Sequence, residues 1–169
     1  MVKKIILVLI LLPLLLWIFA PKKSLVYWGE KQWAAQGITV TGSAIHEHPF
    51  GLTIEHPVVY FKGAKVATAK AISLWSVLLY THGEADAIRI DPAFKAFAPS
   101  QIGAVVLTHS VIAPLRAPVA INDPHFSGSG HIDLNTHVLQ LLFPTLPKSS
   151  PLKRYLKQTK GGWTYERTF

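Results

Sequence analysis

The side chains best suited to chemistry are the histidines. His46-Glu47-His48 sets two imidazoles either side of a carboxylate, with His56 following, and on a strand His46 and His48 would share a face as two metal ligands do. The zinc-protease pattern instead needs its histidines one turn apart on a helix with the glutamate between them. This segment is followed by Pro49 and Gly51, so a loop beside a turn is the better reading. His109, His125, His131 and His137 fall on separate elements. Ser127-Gly128-Ser129-Gly130 is glycine-rich but lies between two strand-like runs, which a hairpin turn or bulge explains better than a nucleophile elbow. No glycine-rich loop is followed by Lys-Ser/Thr and a helix, so a phosphate cradle is not indicated. Asp86, Asp91, Asp123 and Asp133 stand singly at strands and turns, where solvated carboxylates and Asx-turns put them. No catalytic residue, cofactor or metal site is assigned, and the chain does not read as an enzyme.

With 169 residues, the chain suits one domain plus an anchor. The formal charge is +8, but Lys3, Lys4, Lys22 and Lys23 flank one apolar segment; without them the surplus is about four. The one dense basic group is Lys148, Lys153, Arg154, Lys157 and Lys160, without the basic, aromatic-interleaved face of a nucleic-acid binder. The absence of cysteine excludes disulfides, thiolate zinc and cysteine nucleophiles.

Residues 5–20 carry no charge and are mostly Leu, Ile, Val, Trp and Phe. As a helix they extend about 24 Å, short of a hydrocarbon core of about 30 Å unless the flanking lysines snorkel. A cleaved signal peptide would show the same basic and apolar regions. Ile18, Phe19, Ala20 and Pro21 offer no small-x-small site, so an uncleaved anchor is expected, represented by Ile5, Leu9, Leu12, Leu16 and Trp17. Pro13 is tolerated in a membrane helix. The basic, apolar, polar order predicts export of the remainder: an anchor over 1–23 and a β-rich periplasmic domain over 24–169, single-pass in an inner membrane.

After Pro21 a helix is predicted over 25–36, with Ser24 as N-cap and Gly37 as C′ glycine. Trp17, Tyr27, Trp28 and Trp33 suit an interfacial aromatic belt or packing onto the domain equally. From Ile38 onward, β-branched and apolar runs are broken by Gly, Pro, Asn and Asp. Strands are predicted over 38–45, 52–61, 65–74, 84–90, 103–109, 115–121, 130–134 and 138–143, with short helical pieces over 75–80, 92–97 and 151–156. The short connections favour antiparallel meanders over crossover helices. Leu139, Leu141 and Phe143 form one apolar row against Val138 and Leu142, and apolar residues on both faces demand cover on each. The basic group near the end, interleaved with Leu152, Tyr155 and Leu156, reads as a solvated helix before a last strand carrying Trp163, Tyr165 and Phe169, in preference to a helix touching anionic headgroups.

The segments Gly37-Ile38-Thr39-Val40, Pro49-Phe50-Gly51-Leu52-Thr53-Ile54, Lys65-Val66-Ala67, and Ile72-Ser73-Leu74 leading to Val77-Leu78-Leu79 resemble the opening of AsmA-like domains and of the protein N of type II secretion systems. Phe126 to Gly130, Ile132-Asp133-Leu134 and residues 139–143 look like the recurring Gly-x-Gly strand pair of that family, and Gly161-Gly162-Trp163 is similar to its closing strand. The resemblance spans most of residues 37–165. It implies a mainly β fold, a curved antiparallel sheet shaped as a leaf or a partly open barrel, behind an N-terminal transmembrane helix and a short following helix. It also implies a structural or lipid-handling role at the envelope, in type II secretion or outer-membrane biogenesis, with membrane lipid and envelope or secretion-complex proteins as partners, and it supplies no catalytic residues. The rival expectation is a non-enzymatic interaction subunit that uses a sheet edge or its apolar face.

Overall fold

Alternation of apolar and polar residues from Ile38 onward produces strands and little else. A computed structural model describes residues 22–77, 79–147 and 150–168 of the chain. Helix α1 (Lys22–Ala35) comes first. The strands are β1 (Ile38–Thr41), β2 (Ala44–His48), β3 (Gly51–Glu55), β4 (Val58–Phe61), β5 (Ala64–Thr68), β6 (Ala71–Val77), β7 (Tyr80–Ile90), β8 (Gln101–Ser110), β9 (Arg116–Asp123), β10 (Phe126–Asp133), β11 (Val138–Thr145), β12 (Lys157–Thr159) and β13 (Gly162–Thr168). They form one antiparallel sheet of 13 strands in the order β1-β4-β5-β7-β8-β9-β10-β11-β13-β12, with β2, β3 and β6 beside it. The sheet is open: the strands at its two ends do not pair with each other. The anchor segment with Ile5, Leu9, Leu12, Leu16 and Trp17 lies outside the described residues, and among those residues no helix is long and apolar enough to cross a membrane.

Gly37 ends α1 as its position requires, with φ +79° and its N–H donating to Ala34 O at 2.9 Å, because glycine enters the left-handed region without steric cost. Ser24 lies inside α1 and is not its cap. The helical piece over 75–80 is instead a hairpin: Trp75, Ser76 and Val77 pair with His82, Thr81 and Tyr80. Its turn falls in an apolar run with no Gly, Asn or Asp, so the usual signal is missing. The other two pieces exist as 3₁₀ turns, Pro92–Phe94 and Pro151–Tyr155. Ser127-Gly128-Ser129-Gly130 lies within β10, where the register shifts between Ser127 and Ser129; of hairpin turn and bulge, the bulge is the one found.

The predicted strands 38–45, 52–61 and 65–74 each divide in two at one level of the sheet. β1 and β2 keep a common register against β4 and β3, and the other divided strands do likewise. The breaks therefore line up as a seam. Across it Ser43 N–H donates to Glu55 O, His56 N–H to Lys70 O and Lys70 N–H to Asp86 O, each at 2.9 Å. His56 (φ +46°) and Ala87 (φ +48°) hold left-handed backbone on this seam, where a side chain costs about 1–2 kcal/mol.

Cross-strand partners share a face, so the register separates the two sides. Ile45, Ile54, Ile72, Ala85, Val105 and Ile121 form one continuous row. Leu52, Leu74, Gly83, Leu107, Val119, Gly130, Leu141 and Tyr165 form the next row on that side. The opposite side carries His46, Thr53, Ser73, Glu84 and Val106 in a row. The main contacts between elements run between neighbouring strands and from α1 to β1, β2 and β3, so most of the apolar side lacks a second layer. The buried apolar side chains among the described residues are few: Leu52, Pro57, Ala67, Ala117, Phe126 and Phe143.

Candidate functional site

Cover is supplied at one end of the apolar side. Register brings Ile121, Phe126, Leu141, Phe143 and Tyr165 together from β9, β10, β11 and β13. Two connections close over them. Residues 91–100 begin with Asp91, whose Oδ1 accepts from Ala93 N–H at 3.0 Å, and bring Phe97, Ala98 and Pro99 inward. The turn Pro151–Tyr155 brings Leu152, Tyr155 and, just beyond it, Leu156. The rings of Phe97 and Tyr155 lie 6.4 Å apart, joining the two flaps. Beneath is an almost wholly apolar hollow of about 380 Å³.

Leu141 and Phe143 of the predicted row line this hollow; Leu139, of the same row, is half-buried outside its wall. The basic segment turns its Leu152, Tyr155 and Leu156 into the hollow, and Lys153 Nζ lies 5.3 Å from the centre of the Trp163 ring. Phe126 and Phe143 meet with ring centroids 6.2 Å apart. A Cβ at Gly128 would come within 2.5 Å of the Phe143 ring, so the glycine makes room for it.

A second hollow of about 780 Å³ adjoins the first at Pro99 and Phe126. Its wall presents Ser100, Gln101, Asp123, His125 and Ser150 among prolines. Asp123 is held in place: Oδ2 accepts from Gly103 N–H at 3.0 Å and Oδ1 from His125 N–H at 2.9 Å. Ser150 Oγ is buried and has no hydrogen-bond partner among the described residues. A third hollow, about 450 Å³, lies on the seam with His56, Lys70 and Arg89 in its wall and no carboxylate.

The histidines stay apart. His46 and His48 lie in β2 and not in a loop, each held by a neighbour on its own face: His46 Nε2 is 3.3 Å from Glu55 Oε1 and His48 Nε2 is 3.4 Å from Thr53 Oγ1. His109 Nε2 lies 3.1 Å from Pro114 O. Among the described residues no three of His, Asp and Glu converge as a metal would need. Ser43 Oγ lies 3.4 Å from His56 Nδ1, but this exposed hydroxyl also donates to Glu55 O at 3.1 Å, so the pair is too long and already engaged to activate a nucleophile. Asp133 accepts from Asn135 and Thr136 N–H groups; the Thr136 N–H foremost holds its carboxyl below the usual aspartate range.

Sequence placed Tyr165 on the last strand and Phe126 in a strand pair but drew neither toward a site, and it did not bring Phe97 and Ile121 together with them. Their one local signal is Phe94 and Phe97 in a segment otherwise composed like a loop. No family model, curated protein or solved structure matches the chain.

Proposed function

We propose that this chain is an inner-membrane-anchored, single-pass envelope protein whose periplasmic β-domain, built on AsmA-like lines, takes up the acyl part of a membrane lipid. The observation that carries the reading is the pair of joined hollows, one apolar and one polar, meeting at Pro99 and Phe126. Both volumes fall in the range of ligand sites, about 300–1,000 Å³. An amphiphile fits that division: hydrocarbon against Phe126, Leu141 and Phe143, and its head among Gln101, His125 and Ser150. A curved leaf or partly open barrel is the finer form of the same reading, supported by a sheet with free ends and one apolar side. The role is structural or lipid-handling, in outer-membrane biogenesis or type II secretion; it is a binding role with no catalytic step.

The test is organic extraction of the purified full chain followed by mass spectrometry. Bound acyl lipid is expected, and Ala98→Trp, which fills the hollow, is expected to remove it with the melting curve preserved. A folded chain carrying no lipid after purification from membranes overturns the reading. An interaction subunit is the second reading, favoured by the edge strands β1 and β2, each of which has one strand neighbour. A lipid-free chain that retains an envelope protein through that edge supports it.

A further inference from the structure

The opposite end of the sheet from the two flaps is greasy where strand connections are ordinarily polar. The turn after β2 carries Phe50, that after β6 carries Leu79, that after β10 carries Leu134, and the loop after β8 reads Val111-Ile112-Ala113-Pro114-Leu115 with no charge. All these large residues are exposed, Ile112 to 87% and Leu79 and Leu115 to 56%. Single exposed apolar residues need no explanation, but a group of them on adjoining turns does.

These turns are tied together. Val111 N–H donates to Leu79 O at 2.9 Å, Leu134 N–H to Leu115 O at 2.9 Å and Ser76 N–H to Phe50 O at 2.7 Å. Within the loop, Ala113 N–H donates to Ser110 O and Ile112 N–H to Ser110 Oγ. The rim is therefore a held surface on which the main-chain donors of Val111, Ile112, Ala113 and Leu134 are met internally, as burial in lipid demands of each such group. Water would accept those donors equally well, so satisfying them inside matters most where water is absent.

The first described helix runs toward the same end. α1 turns back at Gly37 and packs along β1 and on to β2 and β3, and its Tyr27 and Ala34 share one hollow with residues 39–42 and Ile45. The N-terminal end of α1 thus points toward the rim. Its 14 residues cover about 21 Å of the roughly 36 Å that β1 and β2 span together. Before it stand 21 residues, with the uncharged apolar run 5–20 among them.

We infer that this rim is a membrane-docking surface: Phe50, Leu79, Ile112, Leu115 and Leu134 enter the headgroup and acyl boundary of the bilayer that holds the anchor, so the sheet stands end-on to it. The assignment rests on the anchored reading above, and commits to lipid as the occupant because the apolar run precedes in sequence the end of α1 that lies toward the rim.

The chain has no cysteine, so Ile112→Cys, Leu134→Cys and, at the other end, Lys62→Cys each accept one fluorophore. The full-length labelled chains are reconstituted in phosphatidylethanolamine–phosphatidylglycerol vesicles with and without nitroxide lipids. Labels at 112 and 134 are expected to shift to shorter wavelength and be quenched by nitroxide lipid, and the label at 62 to do neither. A chain that fails to float with vesicles overturns the anchor and the rim together. A chain that floats with label 112 still water-exposed overturns the rim alone. Quenching at 62 as strong as at 112 overturns end-on docking, and protection of 112 that rises with protein concentration without vesicles assigns the rim to a second copy. Whether lipid fills the hollow is read by extraction and leaves these outcomes distinct.

Discussion

Phe143 and Leu142 are neighbours on β11 that face opposite ways, so truncating each to alanine weighs the two sides of the sheet. Phe143 is 3% exposed and Leu142 is 36% exposed. A buried aromatic ring hides about 150–250 Å², which at about 25 cal/mol per Å² gives roughly 4–6 kcal/mol as an upper bound. Measured core Phe→Ala costs run about 3–5 kcal/mol. Phe143 borders an open hollow and forfeits fewer contacts than a ring packed all round, so about 3 kcal/mol is expected for Phe143→Ala. Leu142→Ala is expected to cost about 1 kcal/mol. For a chain of this size each kcal/mol moves the melting temperature about 2–4 °C, so the two variants should lose roughly 6–12 °C and 2–4 °C. Scanning fluorimetry of the full chain in a mild detergent reads both. Equal losses, or a larger one for Leu142→Ala, would mean that the apolar row is misassigned and that the hollow is not walled by β11.

Gly128→Ala should cost about 1–3 kcal/mol, because its Cβ meets the Phe143 ring; the double variant Gly128→Ala, Phe143→Leu should recover part of that loss in the same melt. Ala87→Gly, at φ +48°, should be neutral or stabilising by up to about 1 kcal/mol despite lying mid-strand, which denaturant unfolding checks. The Asp133 carboxyl, held low by the Thr136 N–H, has a folded pKa below its unfolded one, so its contribution is complete above the ordinary aspartate value and is lost as pH falls through the folded value. Its carboxyl carbon signal should titrate below about 3.9, and Asp133→Asn should flatten the acid end of the stability profile.

Much of the sheet could be read from residue order, because half-buried antiparallel strands write their faces into alternate positions. Leu139, Leu141 and Phe143 were set on one face by that alternation, whereas Gly37 was read from the signal that ends a helix. The seam was not, since Gly42-Ser43 and Ala69-Lys70 interrupt a run without leaving its register. The hairpin at 75–82 was hidden because its sequence has no Gly, Asn or Asp before Gly83 to mark a turn, and β12 by its brevity. The hollow depends on two irregular connections folding back over strand residues such as Ile121, Leu141 and Phe143, a closeness that periodicity does not encode. The loop Val111-Ile112-Ala113-Pro114-Leu115 could have been noticed, but a connection is not examined for what it displays when it is read only as a gap.

The seam has a mechanical consequence. β7 and β8 cross it as single strands, whereas the chain runs from β1 to β2, from β3 to β4 and from β5 to β6 through a break. Those outer pieces form two panels beside a continuous spine, and the main-chain bonds of Ser43, His56 and Lys70 along the seam keep them in one sheet. Amide exchange should then report the panels as separate groups opening ahead of the spine. Any twist of one panel against the other would change the mouth of the basic hollow, where Lys70 stands in the break between β5 and β6 and Arg89 lies on β7.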